Sequence, residues 1–142
     1  MLFFNDEGTE SGGLIFNGAL NNEGVVSSGV SLTFDRYQQD QQMQLLGVDA
    51  GGEHFAGLTF SDVADGIERP VFSDKDSQLA KEGNYAITKR VFLGKTATKN
   101  SLLKLMDAQG KSRIEFKVTP EGDSTITFFD ENGKPLKTIT AN

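Results

Sequence analysis

Apolar and polar positions alternate with a period of two along most of this chain. Val30, Leu32 and Phe34 fall on one side of an extended segment, and Ser31, Thr33 and Asp35 on the other. That is the pattern of a half-buried strand. The same period recurs in Phe55–Ser61, where Leu58 and Phe60 share a face. It recurs in 113–119, where Ile114, Phe116 and Val118 alternate with Arg113, Glu115, Lys117 and Thr119, and again around Ile126 and Phe128. Gln41–Val48 reads as a partner strand with Met43 and Leu45 on its apolar side. A glutamine-rich helix over those residues is the competing reading, and its apolar spacing is poor. Shorter apolar runs, Leu2–Asp6 (LFFND) and Leu14–Phe16, flank EGTESGG and predict a hairpin. Tyr85–Leu93 resumes the extended pattern.

Turn signals separate these runs. Asn21-Asn22-Glu23-Gly24 and Asp49-Ala50-Gly51-Gly52 offer residues that tolerate positive φ. AQGK, PEGD and ENGK in the last quarter each place Gly third, which suits a type I turn followed by a left-handed residue and a bulge. This part of the chain contains a near repeat: SLLKLMDAQGK from Ser101 aligns with STITFFDENGK from Ser124, with Ser, Asp, Gly and Lys in step at 101/124, 107/130, 110/133 and 111/134.

Regularity breaks between Val63 and Asn84, where Gly66, Pro70 and Gly83 punctuate a charged segment. Ser77–Glu82, with Asp74 or Asp76 as a cap, is the one plausible helix, so the chain has at most one short helix near 76–83. The expected fold is therefore all-β and mainly antiparallel. It is a meander of nine or ten short strands in a barrel or sandwich, one domain over 1–142 with an irregular excursion at 63–84 between two β halves. Each strand has one apolar face, so the sheet should cover one core and turn its other side to water. The rival is an open β-repeat assembly whose edges are covered by other subunits. Phe3, Phe4, Ile15 and Phe129 fall off the expected buried register and suggest a second buried face, such as a subunit interface.

Composition narrows the function classes. The net charge is -6 and the pI about 4.7. An acidic balance argues against nucleic-acid binding and adhesion to anionic lipid, which need a basic field. The longest apolar runs are too short to span a membrane as a helix, so no direct membrane insertion of this chain is expected. MLFFNDEG has no basic segment and no long apolar segment of the kind a signal peptide carries. Cysteine is absent, which removes disulfides, thiol nucleophiles and cysteine-held metals.

Candidate chemistry is sparse. The Asp/Asn-x-x-Gly turns (Asn5–Gly8, Asp107–Gly110, Asp130–Gly133) carry oxygen ligands suited to calcium, but a calcium loop needs several converging carboxylates. Turn-making Asp side chains that accept the turn's own N–H groups explain them better, so no metal and no cofactor is expected. His54 is the only histidine. A triad with Ser61 and Asp62 lacks any nucleophile elbow, and a solvated histidine is the plainer reading. Asp35, Asp40, Asp62, Asp65 and Glu68 are the carboxylates from which a glycoside-cleaving pair would have to come. Arg36-Tyr37-Gln38-Gln39-Asp40 is the best polar ligand segment, its ring a stacking face and its amides hydrogen-bond partners. The candidate ligand residues are thus Arg36, Tyr37, Gln39, Asp40 and His54, with no catalytic residue. A polar connection between two strands is the alternative for Arg36–Asp40.

The phrases FFNDEGTESGGLIF, LTFDRYQQDQ, AGLTFSD, RVFLGK, LMDAQGKSRIEFKV and FFDENGK, taken in order, resemble a group of bacterial proteins without an assigned activity. Their shared signature is an apolar strand ending in Asp, then x-x-Gly-Lys/Arg and another strand. Members commonly carry an N-terminal membrane anchor, which implies an extracytoplasmic site; this sequence departs from them by opening on the first strand. The resulting expectation is a non-enzymatic β-repeat domain that self-assembles or binds a protein at the cell envelope. A β-barrel binding a small ligand is the alternative.

Overall fold

The computed structural model describes residues 1–6, 8, 10–37, 39–63 and 87–141. Ten strands follow one another: β1 (Leu2–Phe4), β2 (Glu10–Leu20), β3 (Val26–Asp35), β4 (Gln41–Ala50), β5 (Glu53–Val63), β6 (Ile87–Lys95), β7 (Ser101–Met106), β8 (Ser112–Val118), β9 (Ser124–Phe129) and β10 (Pro135–Thr140). All lie in a single antiparallel sheet in sequence order, β1 at one edge and β10 at the other. The all-β meander expected from the alternation is therefore present, and the sheet is not closed into a barrel. The expected helix near 76–83 and most of the excursion lie outside the described residues.

Tight turns enforce this order. In the β7–β8 turn the Asp107 N–H donates to Lys111 O and the Gly110 N–H to Asp107 O, both at 2.9 Å. The β9–β10 turn repeats this with Asp130, Gly133 and Lys134. One carboxylate oxygen then accepts two backbone N–H groups: Asp107 Oδ1 from Gln109 and Lys111, Asp130 Oδ1 from Asn132 and Lys134. Asn21 does the same for Glu23 and Val25 between β2 and β3. The fourth turn residue sits in the left-handed region, Gly110 at φ 76 and Gly133 at φ 79. Thr96–Asn100 uses the same five-residue frame with Lys99 at φ 63, the one non-glycine there among the described residues. Such short loops leave no length for a crossover, so the strands they join must lie side by side; only β5 and β6, which pair across residues 64–86, are joined by a long connection.

Register fixes the two faces. Residues directly opposite each other share a side. One row crosses the sheet as Leu14–Leu32–Leu45–Leu58–Leu93–Leu103–Phe116–Ile126–Ile139. Beside it on the same face runs Phe34–Met43–Phe60–Val91–Leu105–Ile114–Phe128. The opposite face carries Thr33, Gln44, Thr59, Lys104, Glu115, Thr127 and Thr138 in one row, with Phe92 among them.

Burial runs against the expected sense. Thr33 and Thr127, on the polar face, are 5% and 9% exposed, whereas Leu45 and Leu93, on the apolar face, are 52% and 53% exposed. Val63 and Leu102 are the buried apolar residues among those described. The expected single core beneath the apolar face is therefore not supplied by the described residues. The physical reason is topological: all ten strands are used in one layer, and none returns to cover it.

The backbones approach closely where β5 meets β6. Gly57 and Gly94 pair there on the polar face. A Cβ on Gly94 would lie 2.2 Å from Ala56 O, and one on Gly57 would lie 2.4 Å from the Phe92 ring. Only glycine permits that approach. A register shift between Phe60 and Ser61 adds a bulge in the same strand pair. Hollows open on both faces. On β2–β5 one lies on the polar face, lined by Ile15, Ser31, Leu46 and Val48 among others, and another on the apolar face by Val30, Gly47 and His54. On β6–β10 a larger one is lined by Leu93, Leu103, Phe116, Ile126 and Ile139, on the apolar face, and another lies by Lys104 and Glu115 on the polar face.

Candidate functional site

The sequence-predicted ligand residues sit in two separate places. Arg36, Tyr37, Gln39 and Asp40 form the β3–β4 turn. The Arg36 N–H donates to Asp40 O at 3.1 Å and the Gln39 N–H to Arg36 O at 2.8 Å. Asp40 Oδ1 accepts the Gln41 N–H at 2.8 Å. Arg36 Nη1 donates to Val63 O at 3.4 Å, and the Tyr37 hydroxyl donates to Asp6 Oδ1 at 3.4 Å. Gln39 is 8% exposed while Tyr37 is 55% exposed. These contacts tie the turn to the ends of β5 and β1, which is what a structural connection requires.

His54 lies at the start of β5, paired with Asp49 across the β4–β5 hairpin, Nδ1 to Oδ1 3.0 Å. The length of β4, ten residues at about 3.3 Å each, separates it from the Arg36–Asp40 turn. One small ligand does not touch both. Asp35 and Asp62 occupy the same end of the sheet as Arg36, and Asp62 is paired with Arg90. Asp65 and Glu68 lie outside the described residues. Among the described residues no three His, Asp or Glu side chains stand together in a way that would hold a metal.

The Asp of the β7–β8 turn is electrostatically settled by its own loop. The Lys111 N–H bond, then the Gln109 N–H bond and the charges of Arg113 and Lys111, hold its carboxyl below the ordinary value of 3.8 against a smaller opposing effect of desolvation. Its lone pairs serve the turn, as the sequence suggested.

The dominant surface feature is the apolar face itself. Phe16 is 70% exposed, Phe34 45%, Phe60 41% and Phe116 40%. The Leu14–Ile139 row contains no charged or polar side chain. Charge on this face stands at its margins, with Asp49 and His54 at one end of the strands, Lys95 beside them and Lys137 on the edge strand β10. An apolar centre with a polar rim is the anatomy of a protein interface. The hollow over β6–β10 has a volume of about 670 Å³. Sequence reasoning grouped the residues of this face correctly but assigned them to an internal core. It placed Phe3, Phe4, Ile15 and Phe129 off the buried register: register puts Phe3 on the apolar face opposite Gly12, Phe4 opposite Glu10, and Ile15 opposite Ser31 on the polar face.

Comparison with known proteins finds no matching family model, no similar curated protein and no similar solved structure.

Proposed function

We propose that this chain is a non-enzymatic β-repeat domain that acts by self-assembly or protein binding through the apolar face of its sheet, at the cell envelope. One observation carries the reading: an apolar face, one row crossing nine strands and a second crossing seven, is left in contact with solvent. Monomeric soluble proteins seldom keep an apolar patch of more than a few hundred Å². The exposed part of these side chains is on the order of 1,000 Å², taking the 150–250 Å² of a whole aromatic as a scale. The envelope location rests on the resemblance to anchored bacterial proteins.

Lipid is a poorer occupant than protein. The two apolar rows lie about 6.6 Å apart along the strands, so they make a band of roughly 10–15 Å. A membrane barrel needs about 25 Å. The net charge of -6 also opposes anionic lipid.

A second reading, capture of a small apolar ligand, is favoured by the hollow over β6–β10, whose about 670 Å³ falls in the range of ligand pockets. It is an open hollow in a face that continues well beyond it, so it serves the first reading equally well.

The test places a charge on each face. Leu93→Lys on the apolar face should change the solution mass if the protein self-assembles, or abolish hydrophobic-dye binding if the face waits for a partner. Thr125→Lys on the polar face should do neither. The proposal fails if Leu93→Lys leaves both mass and dye binding unchanged.

A further inference from the structure

We infer that the occupant of the apolar face is a second copy of this chain, packed face to face as an isologous two-sheet sandwich. This rests on the reading above and names the partner. The argument begins from the rows of the apolar face. A two-fold axis parallel to the strands, passing over the Leu58–Leu93 pair at the middle of the ten-strand order, lays the leucine row of one copy on the leucine row of the other.

The register that this axis imposes is specific. It sets β4 of one copy over β7 of the other, β3 over β8 and β2 over β9. Leu45 then faces Leu103, Leu32 faces Phe116 and Leu14 faces Ile126. Large meets small at both ends of β2. Phe16, 70% exposed, comes over Ser124, and Gly12 comes over Phe128. Gly47, whose missing Cβ would meet nothing within 4 Å, leaves room beside Leu45 for the incoming chain. The leucine row brings no charge into the interface; Lys95 comes over Ala56 of the other copy in the next row, at the end of β6, and Asp49, His54 and Lys137 stay at the margins.

Area supports the same occupant. Covering on the order of 1,000 Å² per copy matches or exceeds the roughly 800 Å² per partner of a standard stable interface. Aligned sheets about 10 Å apart are the ordinary way for two twisted sheets to share a core. The edges are less suited to joining copies. β1 is three residues long, and β10 opens on Pro135 and carries Lys137, both of which discourage strand addition. In this sandwich the chain acquires in assembly the core that its own strands do not build.

Cysteine is absent from the sequence, so site-directed cross-linking has no background. Three single-cysteine variants, Leu45→Cys, Leu103→Cys and Thr125→Cys, would be treated with a short bismaleimide linker alone and in pairwise mixtures at equal concentration. The expected result is a dimer band from the Leu45→Cys and Leu103→Cys mixture, several-fold stronger than from either alone, and none from Thr125→Cys on the polar face. Linkage through Thr125→Cys, or a mixture no better than its components, overturns the sandwich. If cross-links fail and the wild type sediments as a larger particle, the copies join elsewhere and the assembly reading survives. If the wild type sediments as a monomer whose apolar face binds hydrophobic dye, the second copy is excluded while protein binding survives. Far-UV circular dichroism of each variant verifies that the sheet is intact. Leu45 is 52% exposed in the single chain and Leu103 is half-buried, so the spectrum of Leu103→Cys is the one that must match wild type.

Discussion

Leu58 and Leu93 stand directly opposite each other in the β5–β6 ladder, and both turn to the face that no other described strand covers. Leu93 is 53% exposed, whereas Leu102, opposite Gly94 on the polar face, is 9% exposed. The ordinary correspondence between apolar character and burial is reversed between them. Leu102→Ala should therefore cost about 2–3 kcal/mol at any protein concentration, as a buried leucine does. Leu93→Ala should cost less than about 1 kcal/mol in dilute protein and more as concentration rises, because its contacts belong to the assembly. Urea denaturation at two protein concentrations separates these cases.

Asp107 gives a pH prediction. Its carboxyl is held below 3.8 in the folded chain, chiefly by the Lys111 N–H, so folding favours the ionised form. A depressed carboxylate adds stability above its unfolded pKa and loses it as pH falls through the folded value. Asp107→Asn keeps an oxygen for the two N–H groups, as Asn21 already does in its own turn. The variant should be less stable than wild type at neutral pH, and the gap should close as pH falls below about 4. Urea midpoints from pH 7 down to pH 2 give the comparison. A gap that persists at pH 2 would locate the effect outside this carboxylate.

Lys99 occupies a position that glycine fills in the sister turns, at φ 63. Lys99→Gly should raise stability by about 1 kcal/mol by removing the left-handed penalty, less the extra chain entropy of glycine. Gly133→Ala should cost about 1 kcal/mol, since an added Cβ meets nothing within 4 Å and only φ opposes it. Thermal melts of both variants check the signs, which must be opposite.

Gly94 tests the close approach of β5 and β6. An added Cβ there meets the backbone of Ala56 at 2.2 Å, and backbone cannot move aside as a side chain can. Gly94→Ala should destabilise by about 2 kcal/mol or more and loosen β5–β6 pairing. Amide hydrogen exchange should show the loss at Ala56–Leu58 and Leu93–Lys95 first. Uniform loss over all ten strands would mean that the glycine pair has no special place in that approach.

The strands, turns and faces were legible in the sequence because short-range chemistry dictates them. Period-two alternation fixed the company of Val30, Leu32 and Phe34, and Asp107 and Asp130 announced their turns by the spacing to Gly110 and Gly133. The exposure of Leu45 and Leu93 was not legible. Alternation says which side chains share a face and is silent on what lies over it. Lys99 was hidden because Thr96–Asn100 lacks the glycine that marks the other turns. Arg36–Asp40 and His54 were grouped by polarity, and the ten residues of β4 hold them apart.

The most direct test of the central claim is sedimentation equilibrium of wild type and Leu93→Lys under the same conditions. Burial of the apolar face by a second copy predicts a wild-type mass twice the 15.4 kDa of the chain, and a single-chain mass for the variant with an unchanged β spectrum. A wild type that stays at the single-chain mass into the high micromolar range, or a variant that assembles as well as wild type, would contradict it.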